Sequence, residues 1–357
     1  MEQSNSFLVL FLAPVKEFLE DDDVSEILIN GPNQVYVEKH GKLQKTDAHF
    51  VSEPALRAAA SNIAKSVQRI LDDNNPRLDA RLPDGSRVHA VIPPLARCGT
   101  VIAIRKFKKD TLSIDKMLNY GSLSPDAKLL LNALVKMHKN VIVSGGTSSG
   151  KTSVLNALSS FIPANERVLV IEDASELQLQ QEHVVCFETR KPDKNGNGEV
   201  SIRDLIISAL RLRPDRLVIG EIRGGEALDL LQALNTGHAG SMSTIHANTP
   251  LDCLFRLETC SLLSGVEIPL MALRSQVASA IDAVVHTARL SDGSRKVMAI
   301  SEVLPLKDGQ YQTSDMLVWQ TEGIDDNGKI HGSFVLKNRP SFLEQAKLLG
   351  IELPSYA

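Results

Sequence analysis

Residues 141–152 read VIVSGGTSSGKT, an apolar run that passes into a glycine-rich loop and ends on Lys151 and Thr152. The first three residues are typical of a buried strand, and the pattern from Gly150 to Phe161 is helical. The loop between them matches GxxxxGK[ST] in the strand–loop–helix context that this motif requires. Glycines let backbone amides converge on phosphate oxygens at a helix N-terminus, so we predict that the loop binds a nucleoside triphosphate.

Individual residues of this loop have distinct predicted roles. We expect Lys151 to bridge the β- and γ-phosphates and the Thr152 hydroxyl to bind Mg²⁺. ATP is therefore the predicted substrate and Mg²⁺ the predicted cofactor. The residues predicted to contact the nucleotide here are Gly145, Gly146, Thr147, Ser148, Ser149, Gly150, Lys151, Thr152 and Ser153.

The sequence around the loop divides into two predicted domains. Residues 1–107 read as a small α+β domain, with a helix starting at the N-cap Ser52 and a β-hairpin around Asp84-Gly85. A hydrophilic linker is predicted at 108–122. In residues 123–357, β-rich runs alternate with helical patterns, which predicts an α/β domain with a mainly parallel sheet.

Composition and charge narrow the class of protein. The chain has 357 residues and 43% hydrophobic residues, which is typical of a soluble globular protein of about two domains. Its 39 Lys and Arg against 43 Asp and Glu give a net charge of −4, which disfavours tight nucleic-acid binding. The four cysteines form no CxxC pair, so we predict reduced thiols and neither a zinc site nor a disulfide framework.

Acidic residues follow two predicted strands of the second domain. Glu172 and Asp173 follow the apolar run 168–171, and Glu221 follows 217–220. The carboxyl ends of parallel strands meet at one edge of a sheet, so these acids should lie beside the phosphate loop. A carboxylate there can hold Mg²⁺ through water or orient the attacking water, and both Glu172 and Glu221 are candidates for either role.

Two histidines lie in the polar run that surrounds a later strand. His238 and His246 have seven residues between them and no cysteine or third histidine close in sequence, which disfavours a metal site. An imidazole near a γ-phosphate can donate a hydrogen bond and respond to the presence of that phosphate. We therefore predict that both histidines are phosphate sensors.

Arginines are a further group of candidates, because phosphoryl-transfer sites recruit guanidinium groups to the developing charge. We predict that some of eight arginines reach the nucleotide, with Arg213 as the catalytic candidate in the second domain. The basic run 105–109 could instead contact anionic lipid, or be a solvated linker. The eight are Arg81, Arg87, Arg105, Arg203, Arg211, Arg213, Arg216 and Arg223.

Four segments in this order resemble the motifs of the secretion-type hexameric ATPases of type II and type IV secretion and type IV pili. Residues 145–152 resemble the Walker A motif, 171–173 the Asp box, 217–221 a Walker B variant with glycine before glutamate, and 236–246 the His box. The tetracysteine zinc motif of the type II branch is missing. Segments such as RLRPDR at 211–216 look most like the CpaF-type ATPases of Tad pili.

The resemblance implies a fold, an assembly and roles for the candidate residues. It implies a RecA-like P-loop ATPase domain behind a PAS-like N-terminal α+β domain, in a homohexameric ring that is cytoplasmic and peripheral to the inner membrane. A membrane platform protein would be the partner. Glu221 would be the general base, Glu172 would belong to the Mg²⁺ and water shell, and arginines of the first domain would close on the nucleotide.

The sequence thus predicts a Mg²⁺-dependent ATPase that powers pilus assembly or protein secretion. The alternative is a RecA-like nucleic-acid translocase, which the acidic balance and an aromatic content of 4% disfavour, because single-strand grooves combine basic and stacking residues. A scaffold that binds nucleotide with little hydrolysis is a third reading. Intact Lys151 and Thr152 and both carboxylates disfavour it.

Overall fold

The computed structural model describes residues 11–39, 41–82, 84–107, 112–192 and 196–356. The chain divides into two compact units, Met1–Asp110 and Thr111–Ala357. Part of the predicted linker 108–122 is folded, because a helix at Ile114–Asn119 buries Ile114 and Met117 in the core of the second unit. The second unit therefore begins before the predicted residue 123, and residues 108–111 lie outside the described residues.

The first unit is an α+β domain, as predicted. Its described strands form an antiparallel sheet in the order β3-β2-β1-β6-β5-β4. Successive side chains of each strand point to opposite faces of the sheet, and the apolar face packs against α2. Leu56 and Ile63 of α2 are fully buried there. Ser52 caps α2 by accepting from Ala55 N, and Gly85 takes φ +93° in the β4–β5 hairpin. The elements are β1 (Val24–Asn30), β2 (Val35–Lys39), β3 (Lys42–Lys45), β4 (Arg77–Arg81), β5 (Arg87–Val91), β6 (Val101–Arg105), a 3₁₀ turn (Ala13–Val15), α1 (Lys16–Glu20) and α2 (Glu53–Ser66).

The second unit contains a mixed sheet in the order β15-β14-β13-β12-β7-β11-β10-β8-β9 across the described residues. Strands from β12 to β9 in this order are mutually parallel, and β13, β14 and β15 extend the sheet antiparallel beyond β12. The strands are β7 (Val141–Gly145), β8 (Val168–Glu172), β9 (Val184–Glu188), β10 (Arg216–Ile222), β11 (Met242–His246), β12 (Ala283–Arg289), β13 (Arg295–Lys307), β14 (Gln310–Ile324) and β15 (Ile330–Leu336).

Helices cover both faces of the parallel part of this sheet. Strands β7 and β8 are buried along their whole length, the pattern of strands covered on two sides. One apolar core includes residues of α3, α4, α5 and α10, and the other includes residues of α6 to α9. The helices are α3 (Ile114–Asn119), α4 (Pro125–Lys136), α5 (Lys151–Ser159), α6 (Ile202–Ala209), α7 (Glu226–Asn235), α8 (Pro250–Leu262), α9 (Leu270–Ala280) and α10 (Leu343–Leu348).

Strand order decides which residues meet at the carboxyl edge of the sheet. Strand β11 lies between β7 and β10, and its last residue His246 pairs in register with Gly145. Because the strands are parallel, the residues ending β7, β8, β10 and β11 lie at one edge. Among the described helices, none is both long and apolar enough to cross a membrane.

Candidate functional site

The phosphate loop joins β7 to α5, and close packing explains its first glycine. A Cβ atom at Gly145 would lie 2.3 Å from the Thr287 carbonyl oxygen of β12, so no larger residue fits there. Ser148 and Gly150 take φ of +57° and +96°, and Gly150 is the N-cap of α5. The loop therefore delivers its backbone to the N-terminus of a helix, the arrangement that binds phosphate groups.

Lys151 is nearly buried, with 8% of its surface exposed, and links the loop to β11. Its Nζ donates to Gly145 O at 3.2 Å and Gly146 O at 2.9 Å. The same Nζ lies 3.2 Å from His246 Nδ1. The structure thus brings together two predicted site residues that are 95 positions apart in the chain.

His246 joins this lysine to Glu221 at the end of β10. Burial and the Lys151 charge lower the pKa of His246, against the opposing effect of Glu221, so the ring is neutral at neutral pH. Because a lysine has no acceptor, Nδ1 accepts and the proton is assigned to Nε2. Nε2 lies 2.9 Å from Glu221 Oε1, at an angle that leaves this buried oxygen without a hydrogen bond from any described residue.

Arg223 holds the other side of the Glu221 carboxylate. Its guanidinium lies 2.5 Å from Glu221 Oε2 and 3.3 Å from Asp173 Oδ2. The hydrogen bond to Glu221 raises the pKa of Arg223, so its charge is permanent. Glu221 and Asp173, which follow two different apolar strands, therefore meet at this edge with the Arg223 guanidinium between them.

Glu172 has a different environment from Glu221. It is 3% exposed, and its Oε1 accepts backbone N–H groups of Glu176 and Leu177 at 2.9 and 3.0 Å. A Cβ atom at Gly220 would lie 2.9 Å from Glu172 Cγ, so the glycine before Glu221 makes room for the neighbouring acid. One Glu172 oxygen thus orders the loop after β8.

The chemistry of the remaining oxygens fits Mg²⁺. This ion usually binds through one or two protein oxygens plus water and substrate phosphates. The half-buried Thr152 hydroxyl makes no hydrogen bond to another described residue, and Glu221 Oε1 is buried without one. Thr152 would hold the ion, and Glu221 could do so through water. Glu172 fits less well, because its Oε1 already accepts two bonds.

Two predicted site residues lie at the opposite edge of the sheet. His238 precedes β11, and its Nδ1 lies 3.3 Å from Ala233 O. Arg213 is exposed and precedes β10. A five-residue strand separates its two ends by about 13 Å, so neither side chain joins the phosphate loop of its own chain. The geometry therefore does not support the expected sensor role of His238 or the catalytic role of Arg213 within one chain.

The other candidate arginines of the second unit have different environments. Arg216 is 1% exposed and pairs with Glu166 Oε2 at 2.5 Å, so it is a structural residue. Arg203 pairs with Asp229 at 3.0 Å, and Arg211 is exposed beside Arg213. Of the five candidates in this unit, Arg223 contacts Glu221 and Asp173, two of the acids predicted to lie beside the phosphate loop.

The three arginines of the first unit form a row. Arg81 of β4 pairs in register with Arg87 of β5, and Arg87 pairs with Arg105 of β6. They occupy the sheet face opposite to the buried Val88 and Ile104. Three guanidinium-bearing side chains therefore lie side by side on one face of this sheet.

Three residues that contact the loop or its strand were not predicted. Thr287 Oγ1 lies 2.9 Å from Ser149 Oγ, and Arg295 Nε donates to Ser148 O at 2.8 Å. Ser144 Oγ of β7 lies 2.9 Å from Nδ1 of the buried His286. Thr287, Arg295 and His286 come from β12 and β13, far along the chain from the loop, and no local motif marks them.

Comparisons with known proteins agree with this geometry. Residues 11–332 match the family described as type II/IV secretion system protein. A Mycobacterium tuberculosis protein provisionally named for conjugal transfer is 34% identical over 335 residues, covering 92% of this chain and 93% of that protein. The type IV secretion system protein VirB11 of Bartonella quintana is 33% identical over 328 residues, covering 81% and 91%.

A solved structure shares the fold. The ATPase DotB of Yersinia pseudotuberculosis superposes with a TM-score of 0.59 at 20% identity, covering 84% of this chain and 79% of that one. This likeness confirms the predicted RecA-like P-loop fold. On its motifs, its fold and the family match, the chain belongs to the type II/IV secretion system protein family, the secretion ATPases that its motifs resembled.

Proposed function

We propose that this chain is a Mg²⁺-dependent ATPase whose hydrolysis drives domain motions that power pilus assembly or protein secretion. The observation that carries the proposal is the contact chain from Lys151 through His246 to Glu221 at the edge of the phosphate loop. It joins a phosphate-binding cation to a carboxylate able to activate water. The similarity to named secretion proteins supports the biological role.

In the proposed reaction, the loop amides and Lys151 bind the β- and γ-phosphates. Glu221 accepts the proton of a water molecule whose oxygen attacks the γ-phosphorus. The bond from that phosphorus to the β–γ bridging oxygen breaks, which leaves ADP and phosphate. Mg²⁺, when bound, neutralises charge on the phosphates. Arg223 holds the Glu221 carboxylate through Oε2, and Oε1, which accepts no hydrogen bond from a described residue, is the oxygen left to accept the proton.

His246 is well suited to respond to the γ-phosphate. Lys151 Nζ binds two loop carbonyls and His246 at once, and a phosphate oxygen competes for the same three protons. When Lys151 turns toward phosphate, His246 loses that donor and its contact with Glu221 can rearrange. We propose that this exchange reports nucleotide state to β11.

The finer assignments follow from the motifs. We propose a homohexamer at the cytoplasmic side of the inner membrane, with a membrane platform protein as partner and the Tad pilus as the system served. The arginine row of the first unit, Arg81, Arg87 and Arg105, is proposed to contribute guanidinium groups to hydrolysis.

Phosphate release tests the proposal. Lys151→Ala should lose ATP affinity and hydrolysis, whereas Glu221→Gln should bind ATP like the wild type but lose ~10²-fold or more in turnover, the size typical of a missing general base. Lys136→Ala and Glu182→Gln, both exposed in the same unit, are matched controls that should retain activity.

Two results would count against the proposal. A Glu221→Gln enzyme with wild-type turnover would remove Glu221 from its role as base. Single-stranded DNA should leave the rate unchanged, and a several-fold stimulation would favour a nucleic-acid translocase instead.

A further inference from the structure

The β12–β13 pair, which belongs to none of the four nucleotide motifs, lies directly against the phosphate loop. Thr287 of β12 and Arg295 of β13 contact the loop from this side. We infer that these two are positioning residues, which hold the loop in the shape that binds phosphate before nucleotide arrives. This inference rests on the proposed function and deepens it.

Thr287 connects the loop to its own strand through buried hydroxyl contacts. Its Oγ1 donates to Ser144 O at 3.1 Å and lies 2.9 Å from Ser149 Oγ, and Ser149 Oγ donates to Gly146 O at 2.9 Å. Thr287 is 1% exposed and Ser149 is 3% exposed. The two hydroxyls thus make three short contacts, and loss of the Thr287 hydroxyl removes the two that join β12 to Ser144 and Ser149.

Arg295 holds Ser148, whose backbone conformation is unfavourable, in place. Its Nε donates to the carbonyl of Ser148, which has φ +57°, a left-handed conformation that costs free energy for a residue other than glycine. Its Cδ lies 3.5 Å from the position of a Cβ at Gly150. The arginine stem therefore borders the loop up to the start of α5.

Anchored carbonyls determine where the loop amides point. In a trans peptide the C=O and the following N–H lie in one plane and point in opposite directions. Holding the carbonyls of Ser144 and Ser148 from β12 and β13 therefore directs the N–H groups of Gly145 and Ser149 away from the β12–β13 side. Those N–H groups belong to the phosphate-binding set.

A loop that already has its binding shape loses less conformational entropy when ligand binds. Removal of an anchor should therefore weaken nucleotide affinity more than the chemical step, because Glu221 and His246 do not contact Thr287 or Arg295 in any described hydrogen bond. If a residue were needed only for stability, its substitution would instead lower the melting temperature without changing the affinity for ATP.

The test measures the Kd for ATP by calorimetry, KM and kcat by phosphate release, and thermal unfolding without nucleotide, on the full chain. Thr287→Val removes the hydroxyl at constant shape, and Thr287→Ser restores it. Arg295→Lys keeps the charge and removes the Nε donor. Arg289→Lys is the matched control, because Arg289 is the exposed register partner of Arg295.

We expect Thr287→Val and Arg295→Lys to raise Kd and KM about tenfold or more with kcat changed less than about twofold, and Thr287→Ser and Arg289→Lys to remain near wild type. If Thr287→Val does not fold, Ser149→Ala tests the same contact from the loop side and should also raise Kd.

Wild-type affinity in Thr287→Val and Arg295→Lys, or an equal loss in Thr287→Ser and Arg289→Lys, would overturn the inference while the proposed function stands. A fall in kcat at unchanged Kd would also overturn it. A wild-type chain that binds no ATP would contradict the proposed function itself, and the inference with it.

Discussion

His286 and His246 are the described histidines whose pKa values are lowered, and both lie at the phosphate-loop edge. Burial is the main cause at each, with Lys151 adding to it, while Asp252 opposes it at His286 and Glu221 at His246. The neutral His286 ring lies 2.9 Å from the Ser144 hydroxyl. The sequence around residue 286 gives no sign of this, since a histidine within an apolar strand is indistinguishable from a structural one.

The lowered pKa values of His246 and His286 predict that the stability of the folded chain depends on pH. The unfolded chain takes up protons on histidine near pH 6.5, whereas the folded chain does so only at lower pH. The unfolded state thus binds more protons, and the free energy of unfolding should fall as pH decreases from about 7.5 to about 5.5. Urea unfolding across this range checks it. His286→Gln should show a smaller decrease, and a slope equal to the wild type would contradict the assignment.

At the scale of elements, Arg216 connects several elements at the amino edge of the sheet. Beyond its ion pair with Glu166, which precedes β8, it donates to Gly240 O before β11 and to Val135 O in α4, both at 3.0 Å. A buried guanidinium with four bonds to fixed acceptors is a structural connection between elements. It explains why this arginine does not serve the nucleotide.

Loss of this connection should cost stability. Arg216→Met leaves Glu166 buried without its main partner, and we expect a decrease of about 3–5 kcal/mol in the free energy of unfolding. Arg211→Met, at an exposed position nearby, should change it by less than about 0.5 kcal/mol. Chemical denaturation measures both. Similar small effects of the two substitutions would show that the Arg216 network carries little stability.

In the second unit, the strands that the sequence predicted are buried on both faces. The runs 168–171, 217–219, 242–245 and 283–285 are continuously apolar or buried because helices cover them on two sides. Strands β13 to β15 were not predicted. They lie in the antiparallel extension, where partly exposed positions mix polar and apolar residues, and pairing between distant segments decides their structure.

Strand position also explains which of the predicted site residues lie beside the phosphate loop. Glu172, Glu221 and His246 lie at the carboxyl ends of parallel strands, so position in the motif fixes position in space. His238 and Arg213 are close in sequence to motif residues but precede the strands, and the length of a strand separates them from the loop. Thr287 and Arg295 depend on which strand pairs with β7 and on the packing of β13 beyond it, and local sequence carries no information about either.

At the scale of the whole molecule, the arginine row is a concentration of positive charge in the first unit. Its three members pair across neighbouring strands, and Arg105 lies 3.9 Å from Glu26 on the next strand. We interpret this concentration of guanidinium groups as a surface that suits an anionic ligand.

Replacement of the row should affect hydrolysis more than folding. The triple variant Arg81→Gln, Arg87→Gln and Arg105→Gln is expected to lose ~10³-fold or more in kcat, if the row acts as arginine fingers do. Its melting temperature should not fall in proportion, because like-charge repulsion is removed. Arg77→Gln, exposed on the same face of β4, is the control. A triple variant with wild-type kcat would exclude the row from the reaction.

The most direct measurement is a crystal structure of the Glu221→Gln variant with MgATP. We expect the γ-phosphate among the amides of residues 145–152, Lys151 turned from the Gly145 and Gly146 carbonyls to phosphate oxygen, and the substituted side chain at position 221 within one water of the γ-phosphorus. A loop without nucleotide at saturating MgATP, or a side chain at position 221 that faces away from the phosphate, would contradict the proposed ATPase site.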